Sequence, residues 1–214
     1  MIPFEQAELG PKTLRNRLVK AATFEGRTRR GAVSDELIAF HREGAAGGIG
    51  MTTVAYCAVA PDGRVFRDCL VVSEETKPEL ARLADAVHAE GALVSAQLGH
   101  AGLVADAMSN KQKSLAPARR FSPVAKGIVP PATAADMARV RKDFAKAAAI
   151  APEAGIDCPE GPVGHNYLPS SLLSPTPPNP HESSRRTNPQ PPPRPPPAPP
   201  RAAPALGRAA PAPT

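Results

Sequence analysis

The sequence contains no tryptophan and only two tyrosines, Tyr56 and Tyr167, so aromatic residues make up 4% of its 214 residues. A nucleic-acid-binding surface usually combines a basic stripe with aromatic side chains, and this chain has no such stripe. From Pro169 onward, five arginines and one glutamate supply +4 of the formal net charge of +6. The composition therefore predicts no nucleic-acid partner, and a core built from Ala, Val, Leu and Ile.

Cysteine is also scarce. The three cysteines, Cys57, Cys69 and Cys158, form neither an even framework nor a Cys-x-x-Cys pair, so we expect reduced thiols and no metal site. The N-terminus lacks a basic region followed by an apolar run, and no apolar run approaches the ~20 residues that span a bilayer. These absences predict a cytoplasmic protein with no membrane partner.

Proline, in contrast, is abundant and unevenly placed. Seventeen of the 28 prolines lie from Pro169 onward. We therefore predict a folded unit over residues 1–168 and a disordered Pro/Ala/Arg-rich tail over residues 169–214. Because proline-rich segments dock into SH3- or WW-like grooves, a proline-rich interaction protein is one alternative function.

Strand and helix patterns alternate before the tail. The predicted strands lie at 17–23, 49–59, 92–98 and 156–163, and the predicted helices at 34–44, 77–90 and from 133 onward. This alternation predicts right-handed βαβ crossovers and a parallel sheet. An open doubly wound sheet and a (β/α)₈ barrel both fit the pattern.

Glycine placement separates these two architectures. A dinucleotide fingerprint follows a strand and opens a helix, whereas the cluster from Gly44 to Gly50 ends a helix and leads into a strand. The doubly wound sheet therefore loses its best support. A full barrel needs about 250 residues and four strands are readable, so we predict a partial (β/α)₈ barrel of about four N-terminal βα units.

Two details of the final unit argue against regular structure. Pro159 and Pro162 lie within the fourth predicted strand, where proline removes ladder donors. Pro152 is predicted to interrupt the preceding helix. The buried face predicted for that helix consists of Met137, Val140, Phe144 and Ala148.

Four motifs occur in order along the chain: Asn16-Arg-Leu-Val-Lys-Ala-Ala-Thr23, Ala58-Val-Ala-Pro-Asp-Gly-Arg64, Gln97-Leu-Gly-His-Ala-Gly102 and Gly164-His-Asn-Tyr-Leu-Pro-Ser-Ser-Leu-Leu-Ser-Pro175. Together they resemble the N-terminal half of the Old Yellow Enzyme family, the NADH:flavin oxidoreductases, with divergence after about residue 151. Members of that family are FMN-containing (β/α)₈ barrels. Hydride passes from NADH or NADPH to flavin N5 and then to an activated alkene, while a tyrosine supplies the proton.

The resemblance implies an FMN-dependent oxidoreductase of ene-reductase type, acting on a small activated alkene or enone. The residues that it implies for cofactor binding are Ala22, Thr23, Phe24, Tyr56 and Gln97. It also implies Tyr167 as the proton donor and His165 as a donor to the carbonyl oxygen of the substrate. The partner expected three residues before His165 is Pro162, which has no donor. His100 is interpreted as a brace of its loop.

The family pattern stops after Pro175. The resemblance would continue with a Tyr-Gly-Gly turn and four more strands that supply the FMN phosphate site, and none of these is present. We therefore expect an incomplete or inactive enzyme with weak FMN retention, unless a homo-oligomer completes the site. The remaining alternative is a non-catalytic product whose tail is an out-of-frame reading.

Overall fold

The computed structural model describes residues 2–173. Its strands are β1 (Ala7–Leu9), β2 (Lys12–Leu14), β3 (Val19–Lys20), β4 (Met51–Ala58), β5 (Leu70–Val71), β6 (Leu93–Gly99), β7 (Arg120–Ser122), β8 (Gly127–Val129) and β9 (Cys158–Glu160). Its α-helices are α1 (Asp35–Ala46), α2 (Lys77–His88), α3 (Ala107–Asn110), α4 (Ala134–Glu153) and α5 (Leu168–Leu173).

The central sheet is parallel and follows the chain order β3-β4-β6-β9, with β5 paired to the carboxyl end of β4. The longest pairing joins β4 to β6, from Met51 opposite Leu93 to Ala58 opposite Gly99. Helices α1, α2 and α4 connect successive strands. Because the order of these four strands in the sheet follows their order along the chain, the arrangement is that of successive units of a (β/α)₈ barrel. A doubly wound sheet would reverse its strand order.

Local capping explains where the crossover helices begin. The Ser34 hydroxyl accepts a hydrogen bond from the Leu37 amide at the start of α1. Helix α4 starts with a capping box, in which Thr133 and Asp136 each bond the other's backbone amide. These starts match the sequence prediction.

The main core lies between the helices and one face of the sheet. It combines Leu37 and Ala45 of α1, Leu80, Leu83, Ala84 and Val87 of α2, Ala147, Ile150 and Ala151 of α4, and Val54, Val94, Ala96 and Leu98 of the strands. The strand residues recur every second position, as expected for one face of a sheet. The opposite face, called the inner face below, is left for the site.

The fourth predicted strand forms, but it is short. Strand β9 contains Pro159 and pairs with β6 over three residues. The prolines, which were expected to argue against this strand, shorten the pairing but do not prevent it, and the fourth of the predicted strands is present. Strand β9 pairs on one side only within residues 2–173, a location in which a residue without an amide hydrogen is tolerated, and Pro162 lies beyond the end of the strand.

Pro152 also has a smaller effect than predicted. Helix α4 is continuous to Glu153, with Pro152 in its last turn, so the missing amide affects only the helix end. The buried face differs as well: Ala148 is exposed, while Ala147, Ile150 and Ala151 are buried.

Two antiparallel hairpins, β1–β2 and β7–β8, were not predicted. The second lies in the proline-containing segment between β6 and α4. The predicted tail begins at Pro169, but α5 includes residues up to Leu173, and the rest of that tail lies outside the described residues. No helix within residues 2–173 has the length and apolar character needed to cross a membrane.

Candidate functional site

The carboxyl ends of the four parallel strands lie along one edge of the sheet, and the predicted site residues follow or end these strands. Beneath that edge, a second buried cluster on the inner face contains Ala55, Tyr56, Ala58 and Cys69, with Ala22 and Tyr167 packed against it among the half-buried side chains. The structure therefore brings Ala22, Tyr56 and Tyr167 together from three different segments.

The two tyrosines form an edge-to-face pair. Their ring centroids are 5.1 Å apart and the ring planes are inclined at 70°. The Tyr56 hydroxyl donates to the carbonyl oxygen of Gly63 at 3.1 Å. Burial raises the pKa of Tyr56 well above its ordinary value and also raises the pKa of Tyr167. Both phenols therefore stay protonated at neutral pH.

The two hydroxyls differ in availability. Tyr56 is 5% exposed and its hydroxyl is engaged, whereas Tyr167 is half-buried. No group in the described part of the chain hydrogen-bonds the Tyr167 hydroxyl. Tyr167 is therefore the phenol that could donate a proton to a bound molecule.

Gly99 makes room for the Tyr56 ring. A Cβ atom at Gly99 would lie 2.5 Å from Tyr56 Cε2 and 3.1 Å from Pro162 Cγ. Both distances are shorter than an ordinary van der Waals contact. Pro162, which the family resemblance places at the position of a polar partner of His165, therefore serves as apolar packing.

Gln97 lies two residues before Gly99, so its side chain is on the same inner face. It is half-buried, and its Nε2 donates to Glu160 Oε1 at 2.7 Å. Glu160 is opposite Gln97 in the β6–β9 register. Sequence reasoning missed Glu160, although a carboxylate inside an apolar strand was a usable signal.

Thr23 and Phe24 occupy a different environment. Both side chains are exposed, and Phe24 stacks on Phe66 with a centroid distance of 4.7 Å. Phe24 is not part of the buried cluster that contains Tyr56. Phe66 was also missed, because nothing in its local sequence indicates a partner 42 positions away.

His165 is exposed, and its ring centroid is 5.9 Å from that of Tyr167. His165 and Asn166 both have φ of 58°, a left-handed conformation that non-glycine residues rarely adopt. Such strain concentrates at functional sites. The turn is closed by the Tyr167 amide, which donates to Gly164 O at 3.1 Å.

His100 is fully buried and braces its loop, as interpreted from the sequence. Its Nδ1 accepts from the Gly102 amide at 3.1 Å, which leaves Nε2 as the protonated nitrogen, 3.4 Å from Asp62 Oδ2. Arg139 contacts both Asp62 oxygens at 2.6 and 3.2 Å. Although burial alone would raise the pKa of Asp62, the nearby His100 imidazole and the hydrogen bonds from Arg139 lower it to about 2.

These residues fit part of a flavin. The Gln97 amide carries a donor and an acceptor, which match the donor–acceptor edge of the flavin pyrimidine ring. Its hydrogen bond to Glu160 uses one amide hydrogen and leaves the carbonyl oxygen available. Ala22 is small and half-buried, and Thr23 presents a hydroxyl at the same sheet edge. The fit concerns the ring, since the resemblance places the phosphate site in later strands.

The fold is that of part of an α/β barrel, and the candidate residues lie at the carboxyl ends of its strands. Residues 3–179 match the NADH:flavin oxidoreductase / NADH oxidase family, and the chain belongs to this family. This membership confirms the predicted family and implies FMN and a nicotinamide reductant as cofactors.

Curated relatives agree with this family. The chain is 62% identical over 172 residues to the 4,4'-dithiodibutanoate disulfide reductase of Rhodococcus erythropolis, covering 80% of this chain and 43% of that protein. It is 37% identical over 174 residues to a metal reductase of Desulforamulus reducens, covering 81% and 26%. The chain thus spans less than half the length of these relatives.

Solved structures support the fold. An Old Yellow Enzyme from a Pichia species has a TM-score of 0.74 at 22% identity, over 81% of this chain and 49% of that one. Morphinone reductase has a TM-score of 0.72 at 20% identity, over 80% and 52%. The predicted partial barrel is therefore confirmed.

Proposed function

We propose that this chain forms the N-terminal part of an FMN-dependent NAD(P)H oxidoreductase in which Tyr167 supplies a proton to the hydride acceptor. The observation that carries this proposal is the Tyr167 hydroxyl, which is protonated, unpartnered among residues 2–173 and located at the strand-end edge. Bound FMN would supply hydride transfer between the nicotinamide and the acceptor.

The side chains around Tyr167 have distinct roles in this proposal. Gln97 holds the pyrimidine edge of the flavin, and Glu160 fixes the orientation of its amide. Ala22, Thr23 and Phe24 line the ring. The Tyr56 ring packs against the Tyr167 ring and limits its movement.

His165 is proposed to hold the acceptor. Its imidazole is exposed beside Tyr167 and could donate to an oxygen on which negative charge develops. Pro162 cannot share this task, so a single donor would hold the oxygen. This arrangement favours an acceptor with one activating carbonyl group, such as an enone.

A second acceptor class is an organic disulfide. It is favoured by the 62% identity to the Rhodococcus erythropolis protein, whose name states that activity. Hydride would add to one sulfur as the S–S bond breaks, and the second sulfur would leave as a thiolate that takes a proton. The products are two thiols, and Tyr167 would be the proton donor in this reaction as well.

The cofactor role is tested by FMN titration of the purified chain, followed by flavin fluorescence. We expect weak binding, and Gln97→Leu should weaken it about tenfold because one polar contact to the ring is lost. Gln112→Leu, at an exposed loop position, is the matched control. Equal affinities of wild type and Gln97→Leu would contradict the assignment.

The proton-donor role is tested at saturating FMN with NADPH or NADH and either 2-cyclohexenone or 4,4'-dithiodibutanoate. Tyr167→Phe should slow turnover about 10²- to 10⁴-fold while the FMN affinity stays unchanged. The acceptor that the wild-type protein reduces faster identifies the acceptor class, activated alkene or organic disulfide. Unchanged turnover in Tyr167→Phe would exclude Tyr167 as the donor.

A further inference from the structure

A cavity of about 600 Å³ lies beside the candidate site, between hairpin β7–β8 and the segment that follows β9. Its lining includes Leu103, Arg120, His165, Asn166, Ser170 and Ser171. His165 is also the residue whose ring lies 5.9 Å from the Tyr167 ring, so one lining residue neighbours the proposed proton donor, which does not itself line the cavity. Its volume is typical of small-molecule sites.

Both walls of the cavity are anchored to the loop after β6. On the hairpin side, the Ser122 hydroxyl donates to Leu103 O at 2.7 Å and accepts from the Ala125 amide at 3.0 Å. On the other side, the Leu168 amide donates to His100 O at 2.9 Å. The cavity is therefore held by hydrogen bonds to a common support.

The charge of the cavity is positive. Arg120 belongs to the lining, and its guanidinium has no hydrogen bond or ion pair with any residue between 2 and 173. By comparison, Arg139 and Arg15 are fully engaged. No aspartate or glutamate lines the cavity. An unpaired guanidinium over a cavity without carboxylates favours an anionic ligand.

The remaining lining residues narrow the chemical class of ligand that the cavity can bind. One wall is aliphatic and proline-rich: Leu103, Val104, Ala116, Pro117, Ala118 and Pro123. Such a wall suits a hydrocarbon chain, and the planar guanidinium suits a carboxylate, which it can bind through two hydrogen bonds. The combination favours a carboxylate on a short aliphatic arm.

We propose that this cavity binds the carboxylate-bearing arm of an elongated acceptor, with Arg120 as the charge partner. The aliphatic wall covers the arm, and the reacting end lies next to Tyr167. This inference rests on the proposed function, because it names the substrate class of the same site. It makes Arg120 a specificity residue.

The test is calorimetric binding of two probes to the full chain: 4,4'-dithiodibutanoate and its dimethyl ester, in which both carboxylates are replaced by uncharged methyl esters. Wild type should bind the acid at least tenfold more tightly than the ester. Arg120→Gln should lose about tenfold in affinity for the acid, the size expected for one charge-assisted contact. The matched control is Arg119→Gln, because Arg119 is exposed like Arg120 but does not line the cavity.

Two results would overturn the proposal: equal binding of acid and ester by wild type, or equal losses in Arg120→Gln and Arg119→Gln. A separate FMN titration distinguishes this failure from failure of the proposed function. Arg120-dependent binding of the acid, together with equal FMN affinities of wild type and Gln97→Leu, would support the cavity and contradict the flavin site. FMN binding by the chain, with no effect of Arg120→Gln on binding of the acid, would support the flavin site and contradict the cavity proposal.

Discussion

Gly99 lies where the Tyr56 ring and Pro162 leave no space for a side chain. We expect Gly99→Ala to lower the free energy of unfolding by about 1–3 kcal/mol, the usual cost of overpacking, and to displace the Tyr56 ring. Urea unfolding measures the first effect. Near-ultraviolet circular dichroism measures the second, because the chain has no tryptophan and Tyr56 and Tyr167 are its only tyrosines.

Gly161→Ala is the control for this substitution. A Cβ atom at Gly161 would meet nothing within 4 Å, and its φ is not in the left-handed region. We expect Gly161→Ala to leave both the stability and the tyrosine spectrum close to wild type. A Gly99→Ala protein as stable as this control would show that the inner face is loosely packed.

Asp62 makes the stability depend on pH. Its pKa is lowered from 3.8 to about 2 in the folded protein. Its contribution, on the order of 2 kcal/mol, is therefore complete above pH ~4 and disappears as the pH falls through 2. Asp62→Asn should be destabilised by about this amount at pH 7, and the difference from wild type should shrink between pH 4 and pH 2.

Urea unfolding of both proteins at several pH values measures this difference. Asp85→Asn, at an exposed position of α2, is the control and should show no such trend. If the Asp62→Asn difference were the same at pH 7 and pH 2.5, the ionised carboxylate would not be the stabilising group.

Arg15 connects several elements at the amino-terminal side of the sheet. Its guanidinium donates to the carbonyl oxygens of Ala45, Ile49 and Glu90. The carbonyl groups of Ala45 and Glu90 lie at the end of α1 and in the turn after α2. The Arg15 side chain therefore satisfies carbonyl groups that the helices leave unpaired. The end of α1, the loop before β4 and the turn after α2 are thereby held together.

Arg15→Lys should destabilise the fold by about 2 kcal/mol or more, because a single ammonium cannot reach three separated carbonyls. Arg17→Lys is the control, since the Arg17 side chain is exposed and makes no hydrogen bond or ion pair within residues 2–173. The measurement is thermal and urea unfolding of the three proteins. Equal stabilities of the two variants would rule out the bridging role.

At the scale of the molecule, the described sheet has two open sides. Strands β3 and β9 each pair on one side only within residues 2–173, and parallel sheets are normally covered or closed. We therefore expect this chain, produced alone, to retain well under one equivalent of FMN. Co-expression with the portion of the Rhodococcus erythropolis relative beyond the matched region should raise FMN retention.

Flavin absorbance per protein, measured after gel filtration, tests this prediction. The control is co-expression with an unrelated domain of similar size. A full equivalent of FMN on the monomeric chain would contradict the expectation. A full equivalent on a homo-oligomer would show that copies of this chain complete the site for each other.

The sequence predicts the order of elements well, because helix caps and glycine stops are local signals. Ser34 and Thr133 start their helices as predicted. The fourth predicted strand is present as β9, and the proline argument against it failed because β9 pairs on one side only within residues 2–173. Hairpin β7–β8 was missed because its strands are only three residues each.

The sequence by itself determined the family, the parallel strand order and the segments that meet at the strand ends, since motifs and periodicity are written along the chain. Only the tertiary structure decided which side chains meet. The Gln97–Glu160 bond, the Tyr56–Tyr167 pair and the unpaired Arg120 each depend on register between segments far apart in sequence. The physical reason is that strand pairing and helix packing fix these contacts. Local sequence does not specify which distant segments become neighbours.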